Sequence, residues 1–407
     1  MFGPGRGEVE SAYAWGRLVA ALALSALGGV GMWSVVVVLP TVQAEFGVAR
    51  ADASLPYTLT MILFGLGGIL MGRLSDRFGI MVPVIAGTLA LGLGYAVAGS
   101  STSIGQFALV QGLLIGVGSS ATFSALLADT SHWFTRRRGI AVAVFASGNY
   151  LAGAFWPPIV QHFIETVGWR QTYFGIGLFC MAAMLPLALV LRRKPPLHED
   201  LLPGSGAAAR AGRPLALSPG ALLVLLCIAG FSCCMAMAMP QVHLVAYCSD
   251  LGYGPARGAQ MLSLMLACGI VSRLTFGWIC DRIGGLRTLL TSSCLQCLAL
   301  LLFLPVDGLV SLYVISALFG LFQGGIVPSY AIIVREYFAP GEAGTRVAII
   351  ITATLFGMAL GGWMSGAVFD LTGSYKAAFV NGILWNLLNM AIVGWLLWRS
   401  GLRRAGP

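Results

Sequence analysis

Apolar residues along this chain come in runs of about twenty, and polar residues gather in the short stretches between them. A run of that length crosses the roughly 30 Å hydrocarbon core of a bilayer as an α-helix rising about 1.5 Å per residue. Twelve such runs can be read, near 16–40, 53–71, 80–99, 105–128, 139–161, 170–191, 220–247, 257–279, 286–305, 309–334, 346–368 and 377–398. The pattern breaks at 192–219, where Arg192, Arg193, Lys194, Pro195, Pro196, Glu199 and Asp200 lead into a Gly- and Ala-rich tract. That stretch predicts a linker between a bundle over 1–191 and a second over 220–407. The expected fold is an all-α membrane protein of twelve transmembrane helices in two six-helix bundles. The first fourteen residues are polar and Gly-rich, unlike a cleavable signal, so the start is expected to be the mature N-terminus.

The two bundles echo one another. Gly72-Arg-Leu-Ser-Asp76-Arg77-Phe-Gly79 after the second run returns as Gly277-Trp-Ile-Cys-Asp281-Arg282-Ile-Gly284 after the eighth, and Trp133-Phe134 after the fourth is matched by Tyr337-Phe338 after the tenth. Two landmarks at nearly one offset indicate a duplicated, pseudo-symmetric unit. Carriers built from such repeats hold their substrate near the midplane where the repeats meet.

Composition agrees with a membrane solvent: 58% of residues are hydrophobic and 10% are charged, against about a quarter charged in soluble proteins. The formal net charge of +9 does not point to nucleic acid, because the basic residues are scattered through loops and form no stripe. They follow topology instead. Apart from Arg50, Arg170, Arg257, Lys376 and Arg273, all 24 Lys and Arg fall at the termini or in even-to-odd loops, which places both termini and the linker in the cytoplasm. A plasma membrane location, the bacterial inner membrane in particular, is expected. The nine cysteines lie in or beside apolar runs and are expected to pack as small apolar residues.

Arg273 is the exception to the loop rule. It lies within the eighth run, flanked by Ile270, Val271, Leu274 and Phe276, with no acidic residue within seven positions on either side. A guanidinium at a helix centre costs roughly 2.5–3.5 kcal/mol on insertion scales and therefore faces a cavity, an anion or an internal partner. Its planar fork of donors matches a carboxylate bidentately.

The chain resembles the major facilitator superfamily in its GRLSDRFG loop at 72–79, although Ile80-Met81 replace the basic pair that follows there. A narrower stretch, Gln241-Val-His243-Leu-Val-Ala-Tyr-Cys-Ser-Asp250-Leu-Gly252 with Gly269-Ile-Val-Ser-Arg273-Leu-Thr-Phe-Gly277, resembles the monocarboxylate transporter family and its prokaryotic relatives, oxalate:formate antiporters among them. The resemblance implies that Arg273 binds the substrate carboxylate. It also marks departures. Animal members carry an Asp where this chain has Gly269 and a Lys where it has Thr41, and the oxalate exchangers carry an eleventh-helix Lys where Val347 to Phe369 holds no basic residue. One buried cation suits one carboxylate.

Four further residues are candidates for the substrate site. His243, three residues after Pro240, is expected beside a kink, where it bonds the substrate or carries a proton. Tyr330 and Gln323 share a face of the tenth helix and offer an aromatic wall and an amide. Asn149 stands among small residues of the fifth helix. Asp76, Arg77, Asp281 and Arg282 are expected to form cytoplasmic charge networks that gate the conformational switch. No nucleophile and base pair, Walker-type loop or metal spacing is present, so no enzyme activity, metal or cofactor is expected. The expected activity is proton-coupled transport of small monocarboxylates by alternating access, in a carrier that works as a monomer. Organic anion exchange, drug/proton efflux and a non-transporting anion sensor are the alternatives.

Overall fold

The computed structural model describes residues 10–134, 137–193, 217–339 and 342–402, so the linker expected at 192–219 lies almost wholly outside the described residues. Among the described residues, twelve helical stretches are long and apolar enough to cross a bilayer, one for each run read from the sequence. The protein is a multi-pass membrane protein. Large apolar side chains such as Leu66, Leu178, Val271, Leu274 and Trp278 lie exposed on its helices, as lipid contact requires and water would penalise.

The chain divides into two compact units. The first comprises Met1–Thr41 and Leu59–Ala208, the second Val42–Thr58 and Ala209–Pro407. The second therefore takes in a short segment that the sequence pattern placed in the first bundle. The first span is α1 (Ala12–Gly28) and α2 (Val30–Phe46), interrupted at Gly29. Then come α3 (Arg50–Phe78), which starts in the second unit and continues in the first, and α4 (Met81–Gly99). The fourth span strings α5 (Ile104–Val110), α6 (Val117–Ser120) and α7 (Leu126–His132) through π-helical turns at Gln111–Gly116 and Ala121–Ala125. The fifth is α8 (Arg138–Ala146) and α9 (Gly148–Val167), and the sixth is α10 (Trp169–Val190), which packs along α4.

In the second unit, α11 (Pro219–Asp250) starts on a Ser218 hydroxyl that accepts the Ala221 N–H at 3.2 Å, with Pro219 where its missing N–H costs nothing. It runs on through Pro240 without a break in the helix. The helix packs against α16 (Ala343–Thr372) and α17 (Tyr375–Leu402). Around them stand α12 (Pro255–Ile283), α13 (Gly285–Leu302), α14 (Leu309–Gln323) and α15 (Ile326–Tyr337), the last two forming one span broken at Gly324-Gly325. The two copies of the repeated motif end alike: Gly79 and Gly284 have φ of 84° and 85°, the left-handed region that favours glycine. All nine cysteines are free.

Candidate functional site

Arg273 lies half-buried in α12. The adjacent Ser272 hydroxyl donates to the Leu321 carbonyl at 2.6 Å and accepts the Gly324 N–H at 3.1 Å. Ser272 thus satisfies backbone groups that the break between α14 and α15 exposes. A methyl group at Gly324 would meet the Arg273 backbone nitrogen at 2.7 Å, so glycine is what lets the broken helix reach α12 at this level. Interrupted helices beside a charged side chain are a recurring way to present backbone dipoles to a substrate.

Gln323 ends α14 one residue before that break. Its Oε1 accepts from Gln241 Nε2 at 2.8 Å, while its own Nε2 is buried and donates to no group. A buried amide donor without an acceptor is costly and is stabilised by any acceptor placed before it. Tyr330, seven residues on, is fully buried; its hydroxyl lies 3.4 Å from Asn389 Oδ1 and 3.6 Å from Cys233 Sγ. Asn389 in turn donates to the Ser293 hydroxyl at 2.8 Å. Tyr330 is thus packed inside the second unit and held by its own hydrogen bonds.

Asn149 belongs to the first unit, just past the interruption between α8 and α9. Its backbone carbonyl accepts from Trp33 Nε1 at 3.3 Å, and its side-chain Oδ1 is buried with no hydrogen-bond partner. The other four predicted residues share the second unit, where Gly324, the residue after Gln323, approaches the Arg273 backbone.

His243 sits elsewhere in the second unit, fully buried with both ring nitrogens engaged. Nε2 is 2.8 Å from the Gly362 carbonyl and Nδ1 is 3.3 Å from the Tyr375 hydroxyl. That hydroxyl also receives Arg50 Nη1 at 2.6 Å. Arg50, 7% exposed, opens α3 and is the centre of a cluster. Its Nη2 donates to both Asp250 oxygens at 3.1 and 3.2 Å, and its guanidinium stacks over Phe369 at 4.8 Å. Asp370 caps the helix start by accepting the Arg50 and Ala51 N–H groups at 2.9 and 2.8 Å, a position that favours negative charge.

Sequence reasoning did not find this cluster. The groups that bond Arg50 lie 200 to 325 residues from it, and Arg50 reads as an ordinary loop cation. Nearby, outside the spans, Asp307 accepts from Tyr247 at 2.9 Å and from Lys376 at 3.1 Å; the Lys376 hydrogen bond holds its carboxyl below the usual range. A second missed pair lies in the first unit. Arg17 donates to Asp129 through Nε and Nη2 at 3.1 and 2.8 Å, and its guanidinium stacks on Trp133 at 4.7 Å.

The expected gating residues Asp76, Arg77, Asp281 and Arg282 are exposed, with Arg77 over Phe78 and Arg282 over Trp278. A groove of about 540 Å³ in the first unit, between α9 and α10, is lined by Phe155, Trp156, Phe163 and Phe179 and contains no cation. With Phe155 and Phe163 exposed on its walls, it belongs to the apolar exterior and suits no carboxylate.

Residues 21–309 and 226–407 match the family model described as Major Facilitator Superfamily. Monocarboxylate transporter 13 of Bos taurus is 29% identical over 316 residues, covering 75% of this chain and 71% of its own length. An uncharacterized MFS-type transporter, YcxA of Bacillus subtilis, is 26% identical over 344 residues, covering 83% of each chain. Among solved structures, a bacterial homolog to the human lysosomal transporter Spinster superposes with a TM-score of 0.71 at 12% identity, covering 96% of each chain, which is a likeness of fold.

Proposed function

Since the chain belongs to the Major Facilitator Superfamily, we propose that this transporter carries small monocarboxylates, of the lactate, pyruvate or 2-oxo acid type, together with protons by alternating access. The reading rests on Arg273, whose guanidinium belongs to the eighth span and whose backbone lies against the break in the tenth. There it attracts the carboxylate, and a bidentate charge-assisted pair fixes its orientation. The orphan donor on Gln323, one residue before the same break, is suited to a second polar atom on the substrate, such as a hydroxyl or keto oxygen. Within the first unit, Asn149 keeps a buried side-chain oxygen without a hydrogen-bond partner and is a separate candidate for substrate contact. Tyr330 contributes by packing. Its hydrogen bonds stiffen the α15 wall.

Neutralising the cation with substrate permits closure, because a guanidinium charge opposes dehydration of its surroundings. Asp76, Arg77, Asp281 and Arg282, exposed and at repeated positions, make the charge network of the cytoplasmic side in the alternate conformation. The Lys and Arg bias supports both termini in the cytoplasm, and the proposed location is a plasma membrane, the bacterial inner membrane in particular. The test is thermal stabilisation of purified protein by a panel of C2 to C6 carboxylates. A rise in melting temperature with lactate or pyruvate that disappears in Arg273→Ala is the expected outcome. Equal stabilisation of that variant would remove Arg273 from the site.

A further inference from the structure

While His243 is neutral, the hydrogen bonds around it have only one consistent direction. A carbonyl can only accept, so the 2.8 Å contact with Gly362 places the ring proton on Nε2. Nδ1 is then a bare acceptor, and the Tyr375 hydroxyl 3.3 Å away must donate to it. With its proton committed there, the Tyr375 oxygen is turned to receive Arg50 Nη1 at 2.6 Å. The order Arg50 to Tyr375 to His243 to Gly362 is a relay of donors, and it exists only while His243 is neutral.

From this relay we infer that His243 is the proton-binding site of the carrier and that its protonation unlatches Arg50, a step that rests on the proton-coupled reading above and deepens it. A proton on Nδ1 turns the ring into a donor at both nitrogens. The Tyr375 oxygen then faces two donors, Arg50 and His243, and its own hydrogen loses its acceptor. The imidazolium also adds a positive charge beside the guanidinium. Both changes weaken the bond that ties Arg50 to α17.

The charged and titratable groups around the ring explain why a proton is accepted there. They are Arg50 from the start of α3, Tyr247 and Asp250 from α11, Asp370 from α16 and Tyr375 from α17. Asp250 is paired with the Arg50 guanidinium, and Asp370, bonded to the Arg50 and Ala51 amides, brings a second carboxylate that a proton on His243 helps to balance. Tyr247 is engaged separately, donating to Asp307. Once unlatched, Val42–Thr58 loses its hold on α11, α16 and α17 within the second unit. In the topology given by the charge bias this is the outer end, so a proton arriving from outside loosens that end.

The latch has a local readout. The Arg50 and Ala51 amides are bonded to Asp370, so their hydrogen exchange reports whether the start of α3 is held. Exchange in peptides covering 49–57 is measured on the full protein in lipid nanodiscs without substrate, between about pH 8 and about pH 5, after correction for intrinsic rates. The expected result is a rise of about tenfold in wild type on acidification. In His243→Gln, whose amide supplies one donor and one acceptor as neutral histidine does, exchange stays at the slow level throughout. Flat exchange in wild type, or a rise retained in H243Q, overturns the assignment. Where H243Q does not fold, Tyr375→Phe serves in its place: it keeps the ring and cuts the relay, and a retained acid response there is equally fatal. Since no substrate is present, failure of the latch and failure of carboxylate binding at Arg273 are separate outcomes.

Discussion

Arg17 and Arg50 are both buried guanidinium groups, yet they are compensated differently. Arg17 in the first unit is matched by one carboxylate, Asp129, itself 7% exposed, and covered by Trp133. Arg50 in the second unit shares Asp250, which is 37% exposed, with Tyr375 and through it with His243. Each leaves one nitrogen without a hydrogen-bond partner, Nη1 on Arg17 and Nε on Arg50. The first arrangement is a closed ion pair that holds α1 to α7. The second ends on a histidine, a side chain that can take up a proton. A buried pair stabilises one arrangement, whereas a pair wired to a titratable group can choose between two.

If the contrast holds, the largest effect comes from breaking the closed pair. Asp129→Asn leaves a buried cation facing no anion and is expected to cost about 3–5 kcal/mol, read as a large fall in denaturant midpoint. A loss below about 1 kcal/mol would mean that Arg17 reaches water. Asp250→Asn is expected to cost less, about 1–2 kcal/mol, because the carboxylate is partly solvated and Arg50 keeps Tyr375 and Phe369. Equal losses in the two variants would erase the distinction. Tyr375→Phe removes two hydrogen bonds and keeps the ring stacked 4.4 Å from Phe369. A cost of about 1 kcal/mol at neutral pH is expected, with a weaker dependence on pH than wild type in the same melting series.

The smallest effect is at Asp307, beside the cluster. Its carboxyl titrates below its ordinary value because Lys376 bonds the ionised form. A group depressed in the fold stabilises it above the unfolded value, about 3.9, and loses that contribution as pH falls through the folded value. Asp307→Asn is therefore expected to lower stability by under about 1 kcal/mol at pH 7, since the pair is half-exposed. The difference from wild type shrinks as pH falls below the unfolded value. A difference that persists at about pH 2 would assign the effect to packing instead of charge.

The spans were legible because a bilayer demands an apolar run for each crossing, and the duplication because DRFG and DRIG both end on a glycine at positive φ. The breaks at Gly29, Ser147 and Gly324-Gly325 were not. No proline or charge marks them, and only the packing partner, such as α12 against Gly324, makes a break favourable there. Arg273 stood out as a charge inside an apolar run, and the Arg17–Asp129 and Arg50 groups did not, since all but their burial looks like a helix end. For His243 the sequence left substrate and proton as alternatives; the two hydrogen bonds of its ring are tertiary facts that no local pattern encodes. Pro240 does not end α11, which continues through it packed against α16 and α17.

Uptake of labelled lactate into proteoliposomes under an inward proton gradient tests the central claim most directly, comparing wild type with Arg273→Ala and Arg273→Lys. Wild type is expected to accumulate lactate above equilibrium, the alanine variant to fall by about tenfold or more, and the lysine variant to lie between, since it keeps the charge and loses the bidentate fork. Undiminished uptake by both variants would contradict the assignment of Arg273 as the carboxylate's anchor.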